Sequence, residues 1–209
     1  MSPPDPIDRS KPPGLLESFW FPLSTPAARA DLLVGGTALL LLLPIGWVLN
    51  MGHRLDVVYR IFHDKPPYYG GFSPWSETLV RGLRATIAIL IYLSPSMLCA
   101  GGVARGVSWL AVPAVLLFAI AIYVLPGGMT YNAAHNDIAY LYRPDRALRR
   151  ALAGGRAYLQ AWGIALLAIT LSLVGVLALG VGFFYTSVWA WMVVGYAFSR
   201  ALSLRHEPS

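Results

Sequence analysis

Residues 52–100 read GHRLDVVYRIFHDKPPYYGGFSPWSETLVRGLRATIAILIYLSPSMLCA. Leu55, Val58, Ile61 and Phe62 recur at helical spacing, while Arg54, Asp56, Arg60 and His63 fall on the other side. That is the pattern of a helix lying in a membrane interface, basic side toward the headgroups. Lys65-Pro66-Pro67 stops it, and Tyr68, Tyr69, Gly70, Gly71 and Phe72 make an aromatic, turn-rich loop. Ser73-Pro74 then reads as an N-cap and first helical residue, with Glu77 placed to favour the helix dipole. Leu83–Ala100 is apolar and long enough to cross a bilayer, which takes about 20 residues. Pro95 inside it predicts a kink.

Composition supports the same reading outward from this unit. Of 209 residues, 56% are hydrophobic and 12% charged. Soluble domains carry about 25% charged residues, so lipid is the expected solvent. The net charge of +6 fits cytoplasmic loop charge and anionic headgroup contact, not nucleic-acid binding. The single cysteine, Cys99, excludes an intrachain disulfide.

Working outward, residues 1–30 form a Pro-rich tail that ends in an interfacial segment, Leu15–Leu23, carrying Phe19, Trp20 and Phe21. No cleavable signal peptide is expected, since the first long apolar run begins only at Leu32. Ser24, Thr25 and Pro26 offer a helix start. A single transmembrane domain is expected over 31–200, followed by a polar tail, 201–209. Its first span is Asp31–Met51, kinked or broken near Pro44 and Gly46. The third is Val107–Leu125, ended by Pro126-Gly127-Gly128. A second basic interfacial helix follows at RPDRALRRALAGGR, with Arg146, Arg149 and Arg150 opposite Leu148, Ala151 and Leu152. The block Ala161–Phe198 divides at Gly180-Val181-Gly182 into a fourth and a fifth span, or into one span and a re-entrant hairpin. The fold class is thus an all-α integral membrane bundle of about five spans with two cytoplasmic interfacial helices.

Five spans separate the Lys and Arg residues twelve to four, and the positive-inside rule puts the twelve in the cytoplasm. The N-terminus is then outside and the C-terminus inside.

Signatures of chemistry are scarce. No G-x-S-x-G nucleophile turn or phosphate-binding glycine loop occurs. His53 with Asp56, and His135 with Asn136 and Asp137, are the polar clusters that resemble a site. Neither has zinc-ligand spacing alone, so His53, Asp56, His135 and Asp137 could act only by converging. The ordinary reading keeps them at the headgroups. No cofactor is expected. Arg54, Arg60, Arg143, Arg146, Arg149 and Arg150 are candidate contacts for anionic headgroups or other membrane subunits. The five spans hold essentially no charge beyond Asp31 at a boundary, which argues against an ion path.

FWFPLSTPAARADLLVGG, GHRLDVVYR, Pro74-Trp75, RGLRA at 81–85 and IYLSP at 91–95 together resemble the prokaryotic multi-pass family called "domain of unknown function" four-zero-one-three. The resemblance covers residues 18–200 and is clearest at 46–95. His53 departs from it, where an aromatic residue is commoner, and so does the unusually aromatic 64–74 loop. It implies a membrane domain in a prokaryotic inner membrane, with no activity or catalytic residue attached. The expected role is a non-enzymatic accessory or scaffold subunit. The alternatives are a small transporter or lipid-handling protein and, last, an interfacial enzyme.

Overall fold

The computed structural model describes residues 11–68, 74–177 and 180–203, and among them every regular element is helical. The expected loop at 69–73, with its Ser73 cap, and most of both polar tails lie outside the described residues. Four helices are long and apolar enough to cross a membrane: α4 (Trp75–Ala104), α5 (Ala111–His135, with a preceding turn at 108–110), α8 (Gly155–Ser172, prolonged to Leu177) and α9 (Val181–Ser203). The protein is an all-α integral membrane bundle. Its outward faces carry Leu83, Leu90, Val112, Ile120 and Leu159, all half or more exposed, as lipid contact requires.

The front of the bundle departs from the sequence expectation. Asp31–Met51 is not one span. It forms the legs of a helical hairpin, α2 (Pro26–Leu41) and α3 (Leu43–Phe62), after a short α1 (Leu15–Trp20). Thr25 caps α2 by accepting from Ala28 N, and Pro26 occupies the first turn, as expected. At Leu42 the chain leaves helical geometry, and Pro44 opens α3 where a missing N–H is harmless. The legs then run antiparallel. Asn50 donates to Gly35 O at 3.0 Å and Gly46 O at 2.7 Å, and His53 lies 3.4 Å from Asp31. A Cβ on Gly46 would sit 2.2 Å from Ala38 O, so glycine is what lets the legs close. At 16 residues α2 is about 24 Å long, short of a ~30 Å hydrocarbon core. An apolar run of span length conceals this reversal, because each leg is apolar by itself.

Residues 52–62 therefore do not form a separate interfacial helix. They continue α3 into the protein, and His53, Arg54 and Asp56 are all buried. The reason is contact with α4. Gly52 and Gly82 face each other so closely that a Cβ on either would meet a backbone oxygen at 1.9 Å, Thr78 O and Val48 O respectively.

Behind the hairpin, α5 runs ten residues past the expected stop at Leu125, with Pro126 inside it. Gly127 and Gly128 do not end the helix. They admit α7 (Pro144–Ala153), whose Ala147 O comes within 3.0 Å of the Gly127 Cβ position. After α6 (Ala139–Tyr142), α7 is amphipathic as expected. Ala147 and Ala151 are fully buried, Leu148 and Leu152 are uncovered, and Arg143 and Arg149 are exposed. The last apolar block forms two spans, joined by a seam of Ala161, Ala165 and Ala168 against Ala190, Val193 and Ala197.

The two ends of the described chain meet at one end of the bundle. Arg200 donates to Glu17 Oε1 at 2.5 Å and to Lys11 O at 3.1 Å. Thirteen of the fourteen described Lys and Arg side chains belong to this half of the bundle, and Arg105 in the α4–α5 link is the exception.

Candidate functional site

The reversal at Leu42 turns the polar part of α3 inward, toward α5, α8 and α9. There Trp47, Leu55, Leu125, Trp162, Trp191 and Phe198 help line a cavity of about 280 Å³. Its wall is almost wholly apolar, with Arg54 as its charged group. Ile122 of α5 and Leu166 and Ile169 of α8 also line it, and Leu166 and Ile169 are 58% and 40% exposed. These two helices are not packed along their lengths; Tyr158 OH donates to Tyr123 O across the gap. Leu166 and Ile169 thus put exposed apolar surface at the wall of the cavity where α5 and α8 part.

Arg54 is 9% exposed. Its guanidinium donates to Met129 Sδ at 3.2 Å and lies over the Trp191 ring at 5.1 Å. Gly195 gives its stem room, since a Cβ there would stand 2.8 Å from Arg54 Cγ. A sulfur and an aromatic face are weak partners for a cation taken out of water. The other arginines that reach inward are neutralised. Arg81 pairs with Asp56, to which Thr78 also donates at 3.3 Å, and Arg200 pairs with Glu17 and also donates to the Tyr196 hydroxyl at 2.7 Å. Among the described residues, Arg54 is the buried arginine with no carboxylate beside it.

The four residues considered as a joint site do not converge. His53 pairs with Asp31 and Asp56 with Arg81, while His135 stacks on Tyr131 at 5.5 Å and Asp137 lies 3.6 Å from Arg146. No group of three metal-ligating side chains occurs among the described residues. Arg60 donates to Pro66 O and closes the end of α3. Arg143 and Arg149 both bind Asp145. Desolvation works against them, yet their hydrogen bonds hold the Asp145 carboxyl below its usual pKa. Arg146, Arg149 and Arg150 frame an outer recess with Tyr140, and Arg150 lies 4.4 Å from the Tyr131 ring centre. A polar recess of about 670 Å³, lined by Asp56, Tyr59, Glu77, Arg81, Arg84 and Asn132, occupies the charged end between α3, α4 and α5.

Sequence reasoning named Arg54 as a headgroup contact and missed its surroundings. Asp31, at the boundary of the expected first span, is buried together with His53, Arg54 and Asp56, which the sequence reading had placed on an interfacial helix. No family model matches the chain, no curated protein matches it, and no solved structure does.

Proposed function

We propose that this integral membrane protein handles lipid, binding one lipid-derived molecule that enters sideways between α5 and α8. The observation that carries this reading is the apolar cavity whose mouth residues, Leu166 and Ile169, face the region where acyl chains lie. Ligand sites in general are concave, apolar and furnished with a few orienting polar groups. We place the charged half in the cytoplasm, because a bias of thirteen to one is the pattern of the positive-inside rule. The exposed arginines of α7 then meet anionic headgroups, with Leu148 and Leu152 beside the acyl region.

Purification in a mild detergent, followed by native mass spectrometry, tests the reading. The wild-type protein retains one lipid-derived molecule per chain, and Leu166→Trp at the mouth loses it while remaining monodisperse. Wild-type protein that emerges without such a molecule, or a variant that retains it equally, contradicts the reading. A subunit role in a larger assembly is the second reading, favoured by α4, whose most apolar stretch is only 11% buried. A protein partner at fixed ratio in the same spectra supports it.

A further inference from the structure

Resting on the lipid-cavity reading above, we infer that the ligand is a single-chain amphiphile with an oxyanion head, a carboxylate or a phosphate monoester, held by Arg54. Three observations converge on this chemistry.

The first is the uncompensated cation. Removing a guanidinium from water without a counter-ion is strongly unfavourable, and buried charges are normally paired. This chain supplies pairs elsewhere: Asp56 for Arg81 and Glu17 for Arg200. At Arg54 it supplies a thioether and an indole face instead. Apart from the N–H given to Met129 Sδ, they leave the guanidinium's directional N–H groups available to an incoming acceptor. Its planar fork matches a carboxylate or a phosphate, and the bonds are charge-assisted.

The second is shape. A volume of about 280 Å³ accommodates roughly nine water-sized groups at ~30 Å³ each. That is about one chain's worth of methylenes within the wall.

The third is polarity order. Arg54 stands on α3 at the inner wall, and Leu166 and Ile169 stand at the membrane-facing mouth. A single-chain molecule lying head-inward puts its charge on the arginine and its tail through the mouth. Arg54 lies eight residues before the end of α3, at the charged half of the bundle. The head is thus held toward the side where headgroups lie.

The test uses the full chain in phosphatidylcholine nanodiscs and four brominated dodecyl-chain probes that differ in the head: carboxylate, phosphate, hydroxyl and trimethylammonium. Bromine quenches tryptophan on contact, and Trp47, Trp162 and Trp191 line the cavity. The two anions should bind saturably and about tenfold to a hundredfold more tightly than the alcohol, the range for a hydrogen bond to a charged group. The trimethylammonium probe should not bind. Arg54→Gln should level anion and alcohol, Arg54→Lys should keep part of the preference, and Arg149→Gln on the outer surface should change nothing. Tighter binding of the carboxylate identifies a fatty acid as the source, and tighter binding of the phosphate a lysophosphatidate-like lipid.

Equal binding of anion and alcohol by the wild-type protein overturns the anionic head and leaves the lipid cavity standing. An anion preference that survives in Arg54→Gln overturns the assignment to Arg54. Absence of saturable quenching by every probe overturns both the head and the cavity reading.

Discussion

Gly82→Ala is the sharpest test of the packing that turns α3 inward. The new Cβ would stand 1.9 Å from Val48 O and 2.9 Å from Gly52 N. Both are backbone atoms, so no rotamer change relieves the contact. Real Cβ atoms essentially never come closer than 3.0 Å, so α3 and α4 must separate by at least 1.1 Å. Overpacking a close contact costs about 1–3 kcal/mol, and a shift of two rigid helices belongs at the upper end. Better helix propensity returns about 0.5–1 kcal/mol, for a net loss near 2 kcal/mol. For a chain of this size 1 kcal/mol moves Tm by about 2–4 °C, so the variant should melt about 4–8 °C lower. Thermal unfolding in detergent, followed by fluorescence-detected size exclusion, measures this. Gly101→Ala on the same helix is the control, because nothing lies within 4 Å of its Cβ position. It should melt at or slightly above the wild-type temperature. If Gly82→Ala matches Gly101→Ala, α3 and α4 are not in backbone contact and the inward placement of Arg54 loses its basis.

Two other outcomes follow from the interior charges. Glu17→Ala leaves Arg200, which is 2% exposed, without its carboxylate and should destabilise the fold, by about 1–3 kcal/mol given that Glu17 is half exposed. The double variant Glu17→Ala/Arg200→Met should recover most of that loss in a double-mutant cycle, and additive losses would refute the coupling. Asp145 should titrate below its ordinary 3.8. Because its folded pKa is depressed, its contribution to α7 is present above that ordinary value and is lost as pH falls through the folded one. Carboxyl-carbon NMR checks the direction, and Arg149→Gln should move the midpoint upward.

Parts of this architecture were legible because their physics is local. Thr25-Pro26 marks a helix start whatever surrounds it, and the apolar lengths of α4, α8 and α9 announce bilayer crossing. The arginines of α7 follow a period that survives folding, although its buried ridge, Ala147 and Ala151, is set by α5. The hairpin was illegible for the opposite reason. Pro44 can kink a span or open a returning helix with equal local ease. What decides between them is tertiary: Gly46 against Ala38, Asn50 against Gly35, and Gly52 against Gly82. The site shared that fate. Arg54 looks like one more residue of a polar face until α3 is folded back, and then that face becomes the interior. Trp191 and Met129, its neighbours, are 137 and 75 residues away in sequence.

The returning hairpin makes the cavity and places Arg54 inside it, and the sidedness of residues 29, 105 and 149 reports on it. With Cys99, the single cysteine, replaced by serine, one cysteine is introduced at Arg29, Arg105 or Arg149. Each is labelled with a membrane-impermeant maleimide in intact and in permeabilised cells. Arg105→Cys should react in intact cells, and Arg29→Cys and Arg149→Cys should react together, only after permeabilisation. Labelling of Arg29→Cys and Arg149→Cys from opposite sides would make residues 31–51 a span and contradict the hairpin, the cavity and the role of Arg54 at once.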